Sequence, residues 1–191
     1  MGGVSGQLMK GLPMKGSVAR FILVVCAATL FALPTQAAPV GKVMVLDYQL
    51  NDMTDLPNAP EELERIGLLS SIFKQRLADN GVELVPVNEA LKNAVEKQSP
   101  TYLFDNVPNA AKMAEGSGAD YLLIGVALKP TYLFVYPRIL LVDIRTAEVI
   151  MARASQLESS WSDENTTRRT AEKIADMVSA ELKALQANRL D

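Results

Sequence analysis

From Val43 to Leu50 the chain reads Val-Met-Val-Leu-Asp-Tyr-Gln-Leu, a short apolar run without breakers, which predicts a buried strand. A turn-rich loop follows. Leu63, Ile66, Leu69, Phe73 and Leu77 then recur at spacings of three and four, the repeat of one helix face. Asn58-Ala59-Pro60-Glu61 marks the start of that helix, with a capping residue, a glutamate three positions on and a proline in the first turn. Asn80-Gly81 marks its end, since both residues tolerate a left-handed backbone. Val82 to Val87 predicts a second strand, parallel to the first across the intervening helix. Asn88 caps a short helix that runs to Gln98 and stops at Ser99-Pro100. Tyr102 to Val107 reads as irregular, and Pro108 to Glu115 as an alanine-rich helix closed by Gly116-Ser117-Gly118.

The second half has longer apolar runs. Asp120 to Leu128 predicts a third strand, Lys129-Pro130 a turn, and Thr131 to Ile144 a long fourth strand. Arg145-Thr146-Ala147 links it to a fifth, from Glu148 to about Ser159, so that three strands form an antiparallel meander. From Ser162 or Asp163 to about Ala187 the helical repeat returns, with Ala171, Ile174, Val178, Leu182 and Leu185 on one face. The pattern predicts an α/β (α+β) fold, β-α-β-α-α-β-β-β-α, with helices packed on a mixed sheet of about five strands. It contains no internal repeat and no low-complexity tract.

The N-terminal segment follows a different logic. Met14-Lys-Gly-Ser-Val-Ala-Arg20 is basic, and Phe21 to Leu33 is apolar and uncharged. Pro34 and the small-residue site Thr35-Gln36-Ala37 follow, completing the three-part pattern of a signal peptide. The apolar run is shorter than the roughly 20 residues a spanning helix needs. Cleavage is expected between Ala37 and Ala38, leaving residues 38–191 as a single α/β domain with no stable membrane span. The basic stretch before Met14 is long for a signal, so Met14 is the expected start of translation. Cys26 lacks the small preceding residue of a lipid-attachment site, Val25 standing there, and more apolar signal follows it; lipoprotein anchoring is not expected.

Composition then removes whole classes of chemistry. There is no histidine, and the single cysteine, Cys26, lies in the signal. Ser-His-Asp and Cys-His catalysis and cysteine- or histidine-ligated zinc are therefore absent from the mature domain. The full chain has a formal net charge of −3, and the signal contributes Lys10, Lys15 and Arg20 with no acid, so the mature domain is more acidic still. Without a basic patch, nucleic acid is not an expected partner.

The opening strand ending in Asp47, the helix with Leu69 to Leu77, the run Gly116-x-Gly118-Ala119-Asp120-Tyr121-Leu122-Leu123-Ile124-Gly125 and the strand end Val142-Asp143-Ile144-Arg145-Thr146 resemble the TolB amino-terminal domain and CsgG-like domains of bacterial envelope proteins. The arrangement is also similar to a family of small exported bacterial proteins of unknown function (DUF-type) that carry a Ser-Trp-Ser sequence, here Ser160-Trp161-Ser162. The resemblance implies an α/β sandwich acting through contacts within the envelope. Members of that small family often carry a mid-chain cysteine pair; Ser99 to Asn106 has none here, so no redox or metal role is carried over.

Four features invite a functional reading. Gly116-Ser117-Gly118 runs from helix into strand, the reverse of a phosphate loop, and is read as a helix stop. Asp47, Asp120 and Asp143 lie at strand ends, where carboxylates either bind a cation or form turns and caps, and the turn reading is preferred. Tyr132, Phe134 and Tyr136 alternate and so share a strand face, either a docking surface or, by preference, a face packed beneath a helix. Trp161 is either a staple for the last helix or an interface anchor. Asn165-Thr166-Thr167 fits a glycosylation acceptor, without meaning in a bacterial protein.

The expected protein is thus periplasmic and non-enzymatic, an accessory or assembly protein that needs no cofactor. It acts by protein contacts on an envelope or periplasmic partner through Tyr132, Phe134, Tyr136 and Trp161. A periplasmic small-ligand carrier, using the crevice at the carboxyl ends of the first two strands, is the alternative. A carboxylate-based enzyme is the weaker one.

Overall fold

In a computed structural model, residues 1–3, 41–54, 60–157 and 163–190 are described. Cys26, the cleavage site Ala37-Ala38, the capping residue Asn58 and Ser160-Trp161-Ser162 lie outside the described residues. The elements below belong to the unit Pro39–Asp191.

Val-Met-Val at residues 43–45 forms β1 (Val43–Val45), flanked on both sides by parallel partners. On one side lies β3 (Leu84–Val85), on the other β4 (Tyr121–Thr131). β4 pairs antiparallel with β5 (Phe134–Asp143), and β5 with β6 (Val149–Ala154), giving the order β3-β1-β4-β5-β6. The expected first strand is divided. β2 (Gln49–Asp52) resumes alongside β4 after a break at Leu46–Tyr48, so the mixed sheet has six strands. Val45 is in register with Leu123 and Gln49 with Val126, so three residues of one strand stand against Ile124 and Gly125 of the other. That one extra residue makes a bulge.

The bulge has a cause in packing. Leu46 N–H still bonds Leu123 at 3.0 Å, but Tyr48 N–H turns to the Ser70 hydroxyl at 2.9 Å, and the Tyr48 ring drops into the core edge-on to Phe73, 5.7 Å between centroids. Ser70 and Phe73 belong to α1 (Pro60–Asp79), which buries Ile66, Leu69, Phe73 and Leu77 as the periodicity predicts. Leu63 departs from that prediction: it is 54% exposed, because the first turn of α1 directs Glu62 inward instead. α1 ends as expected at Asn80-Gly81. Gly81 takes φ +84°, its N–H reaches Ala78, and Val82 N–H reaches Leu77, a Schellman motif.

Because side chains alternate across a strand, the sheet is buried on both faces. Val43, Val45, Leu123, Ile139 and Leu141 pack with α1 and with α5 (Glu164–Leu190), which supplies Ala171, Ile174, Val178 and Leu182. Met44, Leu46, Leu122, Ile124, Leu140 and Val142 pack with α2 (Glu89–Lys97), α3 (Tyr102–Asp105) and α4 (Val107–Ala114). The Asn88 side chain caps α2 through Leu91 N–H at 3.0 Å and also donates to Met113 at 2.7 Å. α3 replaces the irregular stretch expected at 102–107; four residues are too few to display a helical period. α4 sets Ala110, Ala111 and Ala114 against the sheet, and Gly116 (φ +74°) and Gly118 (φ +81°) stop it, as read from the sequence.

The β4–β5 hairpin also differs from expectation. Lys129-Pro130 is part of β4, with Pro130 absorbed by a register shift between Leu128 and Thr131, and the turn is Tyr132-Leu133. Pro137 lies in β5 opposite Ala127. Its carbonyl accepts from Ser155 N–H on the β6 side, so the N–H it lacks would have faced beyond the end of the β6 ladder.

Candidate functional site

The carboxyl ends of β2 and β4 meet beneath the hairpin turn. Lys129, only 3% exposed, points into this junction, where its ammonium lies 2.9 Å from Asp52 Oδ2 and 2.5 Å from Glu62 Oε1. Asp52 Oδ1 is filled by Thr54, which donates its N–H at 2.8 Å and its hydroxyl at 2.7 Å. Burial works against charge on both Asp52 and Lys129. For Asp52 the bonds from Thr54 and Lys129 win, and its pKa falls below the usual carboxylate range. For Lys129 the two carboxylates win, and its pKa rises above that of a free lysine. Glu62 Oε2 is buried without a hydrogen-bond partner among the described residues. The triad ties β2, β4 and α1 together, so the base of the hairpin is pinned from three elements.

Beyond this base the chain carries no charge from Pro130 to Pro137. Tyr132 is 69%, Leu133 60% and Phe134 42% exposed. Met53, whose N–H bonds the Lys129 carbonyl at 2.9 Å, is exposed at the same end, as is Leu63 of α1. The Phe134 and Tyr136 rings lie 6.5 Å apart, and two residues on Arg138 sits 4.8 Å over the Phe104 ring of α3. The helices α2–α4 therefore cover this sheet face only as far as Arg138. This corrects two expectations. Tyr132 is a turn residue rather than a strand neighbour of Phe134, and the aromatic face is not packed beneath a helix, Tyr136 alone being half-buried. The result is a charge-free hairpin tip with two exposed aromatic rings and a leucine, suited to burial in an apolar recess.

The three carboxylates do not converge. Asp47, exposed in the bulge, pairs with Lys74 at 2.8 Å. Asp120 accepts Lys42 N–H at 2.8 Å, and Asp143 accepts Arg145 and Thr146 N–H at 2.9 and 3.1 Å, closing the β5–β6 turn. Asp120 and Asp143 share the wall of a shallow cleft, whereas Asp47 lies after β1. Among the described residues no three acids are grouped so as to hold a metal ion. The crevice at the carboxyl ends of the first and second predicted strands is an open hollow of about 300 Å³ lined by Val45, Lys74, Leu84, Val85, Pro86 and Val87. In the Asn165-Thr166-Thr167 stretch, Thr166 and Thr167 are buried, and the Asp163 carboxylate caps α5 through Asn165 N–H at 2.9 Å.

Sequence reading missed the Lys129 triad. Asp52 and Lys129 are 77 residues apart, and only a lysine standing inside a long apolar run hinted at a buried partner.

Comparison with known proteins places the chain as follows. The model of the family DUF3280, described as "Protein of unknown function (DUF2380)", matches residues 41–177. No curated protein matches. The LpoB C-terminal domain from Salmonella enterica is similar at 21% identity, over 65% of this chain and 87% of that one, with a TM-score of 0.42. The PelC dodecamer from Paraburkholderia phytofirmans is similar at 18% identity, over 76% and 90%, with a TM-score of 0.45. Lipoprotein GNA1162 from Neisseria meningitidis is similar at 16% identity, over 73% and 99%, with a TM-score of 0.46.

Proposed function

Starting from a chain that belongs to the DUF3280 family of proteins of unknown function, we propose that it is an exported, non-enzymatic accessory protein of the bacterial envelope, docking onto a protein partner through the β4–β5 hairpin tip. The observation that carries this reading is the exposure of Tyr132, Leu133 and Phe134 on a hairpin whose base is fixed by the buried Lys129 triad. A folded domain gains nothing in its own stability from leucine and aromatic rings held in water, whereas a partner recess that excludes that water does. The signal pattern over residues 1–37, with cleavage at Ala37-Ala38, supports a periplasmic location. The absence of histidine and of a mature cysteine supports a role without Ser-His-Asp, Cys-His or cysteine- or histidine-ligated zinc chemistry. The likeness to TolB amino-terminal and CsgG-like domains, carried by the Gly116 to Gly125 run, fits the same role.

The test is a photo-crosslinking amino acid at Leu133, with the same probe at exposed Lys112 of α4 as control. One stoichiometric envelope protein should be captured from Leu133 and not from Lys112, and should be lost when Tyr132 and Phe134 become serine. Capture equal at the two positions, or none at Leu133, would remove the docking role.

A further inference from the structure

The open edge of the sheet carries a feature independent of the hairpin tip. After β6 the chain stays extended beside β5: Ser155 N–H bonds Pro137 at 2.9 Å and Leu157 N–H bonds Val135 at 3.1 Å. Alternation along an extended strand then turns the N–H groups of Ala154 and Gln156 the other way, off the edge of the sheet. There they border a cleft of about 440 Å³ whose far wall is the start of α5, with Thr166, Arg169, Thr170 and Lys173.

The lining is rich in donors and contains no carboxylate among the described residues. Thr170, only 7% exposed, also lines the cleft. Arg169 donates to the Thr166 hydroxyl at 3.3 Å, and neither Arg169 nor Lys173 forms an ion pair among the described residues. Among the described residues, the acids nearby are otherwise engaged or outside the lining. Asp163 bonds Asn165 and Thr166 at the cap, with Arg169 contributing to its lowered pKa. Glu172 and Asp176 are not part of this lining but share a second hollow on α5 with Arg169 and Lys173, Asp176 being held by Arg76 and Asn80. In a domain of net negative charge, two cations one helical turn apart, without an ion pair among the described residues, border the extended backbone of Ala154 to Gln156 and the Thr170 side chain and form a cradle for negative charge.

We propose that this cleft binds the phosphate group of a small polar molecule. A guanidinium, an ammonium and backbone amides together match the several acceptor oxygens of a phosphate ester better than the two of a carboxylate. The space exceeds what the phosphate alone fills, and Ser155 and Gln156 offer hydrogen bonds to a hydroxylated body such as a polyol or a sugar. A soluble phosphorylated metabolite and a phospholipid headgroup share this chemistry.

The experiment is an amide chemical-shift titration of the purified protein with inorganic phosphate and with glycerol 3-phosphate at constant ionic strength, beside sedimentation with phosphatidylcholine vesicles with and without phosphatidylglycerol. The Ala154 and Gln156 amides should shift saturably, with glycerol 3-phosphate the tighter ligand. Arg169→Gln and Lys173→Gln should each weaken binding by about tenfold, and Thr170→Val should weaken it with an unchanged circular dichroism spectrum. Sedimentation that needs phosphatidylglycerol and is competed by glycerol 3-phosphate identifies a lipid source, and saturable shifts without sedimentation a soluble one. Absence of saturable shifts and of sedimentation, or binding indifferent to both Arg169→Gln and Lys173→Gln, overturns the assignment.

Discussion

The ring of Tyr48 occupies the space into which Gly125 would project a side chain: a Cβ built on Gly125 would lie 2.7 Å from Tyr48 Cδ1 and 2.8 Å from Cε1. The bulge at Leu46–Tyr48, the bond from Tyr48 to Ser70 and the missing side chain at Gly125 are therefore one arrangement. Gly125→Ala should destabilise the fold by about 1–3 kcal/mol, since the clash is with a ring fixed against Phe73 rather than with a flexible chain end. Urea unfolding of the variant measures this, and an unchanged midpoint would mean that the ring does not lie there.

The Tyr48 hydroxyl is buried without a hydrogen-bond partner among the described residues, and burial pushes its pKa far above the ordinary value. Tyr48→Phe should thus be neutral or stabilising by up to about 1 kcal/mol, because the oxygen loses its water for no return. The native state holds this proton while the unfolded chain releases it near pH 10. Wild-type stability should consequently fall above that pH more steeply than that of Tyr48→Phe. Chemical unfolding of both proteins between pH 8 and 11, a window set by the unfolded tyrosine pKa of roughly 10, reads the difference.

Lys129→Met leaves Asp52 and Glu62 facing each other without their cation and should cost about 3–5 kcal/mol at neutral pH. The pH dependence separates the proteins. In the wild type Asp52 has a lowered pKa, so its contribution is present above the unfolded carboxylate pKa of about 4 and is lost as pH falls through the lower folded value. In the variant, acidification neutralises an unpaired buried charge and should narrow the gap to wild type. Urea midpoints across the acid range give both curves.

Arg76, bonded to Asp176 at 2.8 and 3.1 Å, joins α1 to α5 in a geometry as good as that of the triad, but in contact with water. A double-mutant cycle to alanine should give a weak coupling that shrinks with added salt, since solvent screens such pairs. A larger, salt-insensitive coupling would show that the helix interface excludes water.

Changing Tyr132, Leu133 or Phe134 to serine should leave stability within about 0.5 kcal/mol of wild type, because exposed side chains contribute little to the core. Thermal unfolding checks it. A large loss would mean that these residues pack within the domain instead of serving a partner.

Much of the architecture was legible because it rests on local signals. The repeat from Ile66 to Leu77, the Schellman stop at Asn80-Gly81, the Asn88 cap and the stripe from Ala171 to Leu182 each involve residues within a few turns of one another. The hairpin was misplaced for a matching reason. Pro130 is a strong turn signal, yet a register shift accommodates it within β4, and only the pairing of Thr131 with Phe134 determines where the chain reverses. Leu63 shares the spacing of a buried face but lies in a first turn whose inward position is taken by Glu62.

The candidate surfaces divide along the same line. Sequence alone determined that Tyr132, Phe134 and Tyr136 stand close together in an uncharged stretch, and that the chain has no histidine and a single cysteine, because these are properties of residue identity and short spacing. It also determined the helices and most strands, whose hydrophobic period is local. Whether the aromatic face is covered, which lysine is buried, where β1 breaks, and which backbone N–H groups face the cleft beside α5 were decided only by the tertiary structure. Each depends on segments well separated in the chain, such as Tyr48 and Ser70 or Glu62 and Lys129, or on the edge strand of the sheet, and pairing across such distances leaves no periodic mark in the chain.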